Sequence, residues 1–216
     1  ADFSVGAQMM RNAAQASLAV AKVGGARYVR VDALVGATMS ASGLLQSDAH
    51  GTAEYRRKIA AQGVGIVADI HSMQFRWHGS ERPVGEIANL ALQAGADALA
   101  LGAPAVDQTQ SLIRAVRAAA PSAAIWLAGY TTHDNVQAMM IEADGAFVGS
   151  CLERGGWGGR IDEQRAADFV RLVRALPPRT EAGGEPCAPT RMTAAIPACT
   201  AGAARTYGTN RPAGPG

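Results

Sequence analysis

Six short apolar runs alternate with longer alanine-rich helical patterns up to residue 176, which predicts an α/β fold of repeated βα units around a parallel sheet. Two further observations choose among such folds. No Gly-x-Gly-x-x-Gly follows the first run, where Gly6-Ala-Gln-Met-Met-Arg-Asn12 stands, so an open nucleotide-binding sheet is not indicated. Glycines instead close the last two runs, at Gly129 and Gly149, where β/α barrels build anion sites from backbone amides. The expected fold is of the (β/α)8 TIM-barrel type.

The first strand is expected at 4–10 and the first helix at 13–23, joined to the next strand by the return Val23-Gly-Gly-Ala26. In the second strand, 27–32, Arg30 and Asp32 fall on one side while Val29 and Val31 take the other. A helix over 48–62 leads to the third strand, 64–70, an almost continuous apolar run that reads as buried on both faces. Helix 84–94 returns through Gln93-Ala-Gly-Ala-Asp97 to a strand at 97–101. Helix 108–119, strand 124–128, helix 134–142, strand 145–149 and helix 162–175 complete the series, with Glu142-Ala-Asp-Gly145 as the last return. Asn or Asp near several helix starts supplies caps.

At residue 177 the composition changes. Seven of the ten prolines lie in the last 40 residues, which have no sustained periodicity, so 177–216 is expected to be a disordered tail beside a folded domain of residues 1–176. That tail carries the whole formal charge of +2, which leaves the folded part neutral and gives no footprint for nucleic acid. Three cysteines form no paired motif, and no run is long and apolar enough to span a membrane, so a cytoplasmic protein is expected. The chain starts with Ala and enters a strand almost at once, from which a missing N-terminal portion is expected.

The candidate site follows from which side chains end the strands. Asp69 and His71, two positions apart, are expected to share a side at the C-terminal end of the third strand, where barrels place their chemistry. They read as a general base and its partner, or as two metal ligands with Asp32 as a third, although spacing alone specifies neither metal nor cofactor. Arg30 with Asp32 reads as an anion clamp beside a hydroxyl-orienting carboxylate, or as an ion pair filling the barrel. Arg11 and Asn12 lie on the same face as substrate-binding candidates, and Asn12 can equally cap the next helix. Gly129, Gly149 and Ser150 complete the binding set with amides and a hydroxyl. Cys151 lacks a paired base, His50 and His78 read as solvated loop residues, and Gly155-Gly-Trp-Gly-Gly159 reads as a glycine loop carrying one large ring.

The ordered series Val5-Gly6, Arg11-Asn12, Tyr28-Val-Arg-Val-Asp-Ala-Leu-Val-Gly-Ala37, Ala68-Asp-Ile-His71, Ala94-Gly-Ala-Asp-Ala98, Asn135-Val136 and Ala143-Asp-Gly-Ala-Phe-Val-Gly-Ser150 resembles the BtpA (BtpA/SgcQ) family over about residues 4–176. The resemblance implies a TIM barrel that here lacks its first two βα units, an association with photosystem I biogenesis, and in other members a sugar- or nucleoside-related enzymatic role. It departs from the family at Ser72-Met-Gln74 and Glu153, where lysines are usual, and at Ala128-Gly-Tyr130, where Gly-Ser-Gly is usual. Two positive charges thus leave the anion site that the resemblance implies, and a negative one enters. The expected partners are a small-molecule ligand and a second copy of the chain, with peripheral membrane association implied by the resemblance alone. An enzyme, a non-catalytic assembly factor and an inactive truncated relative all remain open at this point.

Overall fold

The computed structural model describes residues 4–177; the expected tail from 178 onward lies outside the described residues. In chain order the elements are β1 (Gly6–Ala7), α1 (Ala14–Gly24), β2 (Tyr28–Val31), β3 (Ala37–Ser40), β4 (Gly43–Gln46), α2 (Ala49–Lys58), β5 (Gly65–His71), α3 (Val84–Gln93), β6 (Ala98–Leu101), α4 (Val106–Ala119), β7 (Ile125–Leu127), α5 (Val136–Met140), β8 (Gly145–Ala146), a short 3-10 turn (Ser150–Leu152) and α6 (Glu163–Arg174). Six strands form one parallel sheet in the order β1-β2-β5-β6-β7-β8. Sequential strands that pair in parallel through intervening helices are the construction of a TIM barrel, and among the described residues β8 and β1 do not pair. The two edge strands are only two residues long, shorter than the expected 4–10 and 145–149, and each pairs on one side only.

Alternation along the strands sorts the core into two layers. Val29, Val31, Ile66, Ala68, Ile70, Leu99, Leu101, Ile125 and Leu127 face outward and pack beneath helix residues such as Leu18, Ile87, Ile113 and Met139. On the concave side Val67, Ala98, Ala100 and Ala128 leave room for three rings, Tyr28, Trp126 and Phe147. Tyr28 meets Trp126 edge-on at 5.4 Å, and Phe147 lies 5.3 Å from Trp126. The small strand residues are what allow large rings inside a narrow curve. Gly6 serves the same end, since a Cβ there would lie 2.2 Å from the Tyr28 ring.

The helices start and stop as their local chemistry requires. Asp48 caps α2 by accepting the Gly51 amide, and Asp162 caps α6 by accepting those of Gln164 and Arg165. Gly25, at φ 71°, ends α1 in the left-handed conformation, which glycine adopts without a side-chain clash. Asn12 does not cap α1: Ala13 holds that position without a side-chain hydrogen bond.

One element was not expected. Residues 37–46 form a β-hairpin between β2 and α2, in which Thr38 faces Leu45 and Met39 faces Leu44. It is fastened to the loop after β5, where the Arg76 amide donates to Thr38 Oγ1 at 3.0 Å and the His78 amide to the Ala37 carbonyl at 2.9 Å. His50 sits in the first turn of α2, inside the expected helix 48–62 and not in a loop, with its ring exposed near Glu54.

Candidate functional site at the C-terminal end of the sheet

The parallel register sets the site. Arg30 on β2 lies level with Val67 on β5, so Asp69, two residues further on, is its diagonal neighbour on the concave face. The guanidinium binds the Asp69 carboxylate through two hydrogen bonds, Nε to Oδ1 at 2.8 Å and Nη2 to Oδ2 at 2.9 Å. Asp69 is fully buried, and Ser72 Oγ adds a third hydrogen bond of 2.5 Å to Oδ2. Ser72 in turn accepts the amides of Gln74 and Phe75, so the carboxylate also organises the loop after β5. The other face of the Arg30 guanidinium is covered by the Phe147 ring, at 4.6 Å.

This geometry corrects the expected pairings. Asp69 meets Arg30 and Ser72, not His71, so the two do not form a base-and-partner dyad. A register shift between Asp69 and His71 explains it: the extra residue breaks the alternation that would have put both side chains on one side. Arg30 likewise pairs with Asp69 rather than with Asp32. Among the described residues no three His, Cys, Asp or Glu side chains gather as metal ligands, so Asp32, Asp69 and His71 do not converge on one point.

Asp32 is the exception in an otherwise satisfied cluster. It is fully buried at the end of β2; Gln8 Nε2 donates to Oδ1 at 2.8 Å, whereas Oδ2 has no hydrogen-bond partner. Extending the β2–β5 register by one residue places Asp32 level with Asp69. Burial raises its pKa above the ordinary carboxylate value, the nearby Asp69 carboxylate raises it further, and Arg30, Arg11 and the Gln8 hydrogen bond oppose the shift.

His71 has its own partners. Arg76 Nη1 lies 2.9 Å from Nδ1, and a guanidinium can only donate, so Nδ1 accepts and the neutral ring carries its proton on Nε2. The Gly102 carbonyl, at 3.3 Å from the same nitrogen, then faces a lone pair, and the shorter Arg76 contact governs the tautomer. Burial, and after it the positive Arg76, hold the pKa of His71 below its usual value.

The remaining candidates divide. Arg11 is exposed and acts on Asp32 through its charge. Asn12 uses its whole amide on backbone: Nδ2 donates to the carbonyls of Ala33 at 3.1 Å and Gln46 at 3.0 Å, and Oδ1 accepts the Ala33 amide at 2.8 Å. It clasps the first loop to the hairpin, and both of its N–H donors are spent there. Gly129, Gly149 and Ser150 line a cleft of about 220 Å3 together with Arg30, Tyr130 and Phe147. Trp157 lines the same cleft although its ring is 85% exposed. The thiol of Cys151 is pushed up in pKa by burial, which keeps it protonated and unsuited to nucleophilic attack. Gln8, Ser72, Gln74 and Phe147 were not among the expected site residues; Ser72 and Gln74 stood out only as departures from the family pattern, and Gln8 and Phe147 only by their place near strand ends.

The sequence pattern of the BtpA family matches residues 2–175. The photosystem I biogenesis protein BtpA of Synechocystis sp. is 28% identical over 172 residues, which cover 78% of this chain and 60% of that protein. The chain thus spans about three fifths of the length of the curated relative it matches. Among solved structures, one described as native KDPGal aligns with a TM-score of 0.51 at 22% identity, over 78% of this chain and 68% of the other. A Coccidioides immitis protein assigned as a deoxyribose-phosphate aldolase aligns with a TM-score of 0.51 at 17% identity, over 81% and 68% respectively. At such identities the likeness is one of fold, and it agrees with the TIM-barrel construction of the sheet. The match over residues 2–175 settles the family: the chain belongs to the BtpA family.

Proposed function

We propose that the mouth of this barrel is the ligand site of a small-molecule enzyme acting on a sugar-, nucleoside- or phosphate-containing substrate. The observation that carries the reading is Asp32, whose fully buried Oδ2 has no partner beside the Arg30–Asp69 ion pair. An orphaned buried carboxyl costs stability, and such groups persist at the C-terminal ends of barrel strands where chemistry needs them. Its raised pKa suits Asp32 to hold and deliver a proton, while neutral His71 offers Nε2–H as a hydrogen-bond donor. Asp69 acts by orienting Arg30.

The test is thermal unfolding of the chain with ribose, ribose 5-phosphate and uridine, followed by circular dichroism. At least one compound is expected to raise the midpoint, and the rise is expected to vanish in Asp32→Asn and Arg30→Gln variants that still fold. A midpoint unmoved by every compound overturns the reading.

A second reading rests on the name of the Synechocystis relative and on one surface feature. Met9, Met10, Met39, Leu44 and Met73 are all exposed in the loops and hairpin that follow β1, β2 and β5. Adaptable apolar side chains of this kind suit a protein contact, here one in photosystem I biogenesis. Met39→Asp with Leu44→Asp then abolishes that contact and leaves any response to small molecules unchanged; a contact that survives both substitutions rejects this version.

A further inference from the structure

We propose that the cleft above the Arg30–Asp69 pair selects a ligand with a planar ring and uncharged hydrogen-bond acceptors, and discriminates against its phosphorylated form. The inference rests on the small-molecule reading and narrows its substrate class.

Charge carries the first half of the argument. Arg30 is the one cationic side chain among the residues lining the cleft, and none of them is acidic. Its Nε and Nη2 are committed to Asp69, which neutralises the guanidinium. Among the described residues Nη1 makes no hydrogen bond and is not a fully buried unpaired atom, so this side chain of the cleft lining keeps one nitrogen with donors to spare. A carbonyl or hydroxyl oxygen can accept from Nη1 at no electrostatic cost. A phosphate dianion meets no uncompensated cation there, and Glu153 sits at the foot of the adjoining loop. The other polar side chains of the lining, Gln74, Tyr130, Thr131, Thr132, Ser150 and Trp157, carry no formal charge.

Shape carries the second half. Tyr130, Phe147 and Trp157 put three rings around one small space. Trp157 is 85% exposed, yet its loop has a defined backbone: the Gly158 amide donates to Glu153 Oε2 at 2.7 Å, the Gly159 amide to the Gly156 carbonyl at 3.0 Å, and the Arg154 amide to the Arg160 carbonyl at 2.9 Å. Arg154 Nε bonds Asp162 at 2.7 Å and ties the loop to the start of α6. Gly155, Gly156 and Gly158 all take positive φ, which lets the chain turn tightly enough to hold the indole outward. A large ring presented by a fastened loop, with almost no contact in its own fold, gains most when a flat partner stacks on it.

The experiment titrates uridine, uridine 5′-monophosphate and ribose 5-phosphate against tryptophan fluorescence in the chain and in Trp157→Phe. That variant leaves the fold intact because the ring is exposed, and a thermal melt verifies it. Uridine is expected to change the emission saturably, the change to be absent in Trp157→Phe, and the monophosphate to bind roughly tenfold more weakly or worse. Binding of the monophosphate as tight as that of uridine, or binding of ribose 5-phosphate alone, overturns this inference and leaves the broader small-molecule reading standing. No response to any of the three, in fluorescence or in melting, overturns both.

Discussion

The two ends of the sheet use the same residue types in opposite ways. At the N-terminal end, Asp97 precedes β6 and its Oδ2 accepts both the Ile66 amide of β5, at 2.7 Å, and Arg56 of α2, at 3.1 Å. Two units later Asp144 precedes β8, and its Oδ2 accepts the Ile125 amide of β7 at 2.8 Å and Arg117 of α4 at 2.7 Å. Each carboxylate thus ties a helix, a strand start and the next strand together, with every oxygen that matters satisfied by backbone and guanidinium. At the C-terminal end two carboxylates share a face, one guanidinium serves Asp69, and Asp32 is left with an unpartnered oxygen. The lesson is that one end is built for stability, while the other retains an unsatisfied group that the fold alone does not call for.

Substitutions at the two ends break or sharpen that contrast. The largest effect is expected for Asp69→Ala, which strands a buried guanidinium and should cost about 4 kcal/mol of unfolding free energy in denaturant titrations. Asp144→Ala should cost about 3 kcal/mol, because it frees the Ile125 amide and one partner of Arg117. It is expected to leave ligand responses at the far end unchanged, and a lost response would blur the division between the ends.

Asp32→Asn should do the reverse and stabilise the fold by about 1 kcal/mol at neutral pH. The folded-state pKa of Asp32 lies above its unfolded value, chiefly through burial. The stability linked to its proton is therefore fully present below the ordinary value of 3.8 and is lost as the pH rises through the raised value. The advantage of the variant should accordingly shrink as the pH falls toward 3.8. A variant that is less stable at neutral pH would make Asp32 a structural residue. The smallest effect is expected at His71, whose pKa is lowered by burial and then by Arg76. Stability should fall as the pH drops below the ordinary 6.5, because only the unfolded chain then takes up the proton. His71→Gln should flatten that part of the profile by a few tenths of a kcal/mol.

Much of this was legible in the sequence, for a definite reason. Strand and helix order follows from periodicity within one segment, and so does the gathering of Arg30, Asp32 and Asp69 at strand ends. Their pairing was not legible, because it depends on the register between β2 and β5, which no single strand encodes. The shift that parts His71 from Asp69 is of the same kind, since one residue of bulge is invisible to a count of two. The hairpin at 37–46 escaped because its Ala, Ser and Gly residues have weak strand preference, leaving only Thr38-Met39 and Leu44-Leu45 as signals. Asp97 and Asp144 stood out as parts of helix-to-strand returns, while their arginine partners lie on α2 and α4, one helix further back than the helix each return follows.

The clasp made by Asn12 exposes the molecule to chemical ageing. Its side-chain amide holds the carbonyls of Ala33 and Gln46 with the same NH2 group. Spontaneous deamidation would replace that group by a charged oxygen facing two carbonyl oxygens, and attraction would become repulsion. The hairpin would part from the first loop with no change in the encoded sequence, so stored material should drift toward a looser rim and fresh material should not.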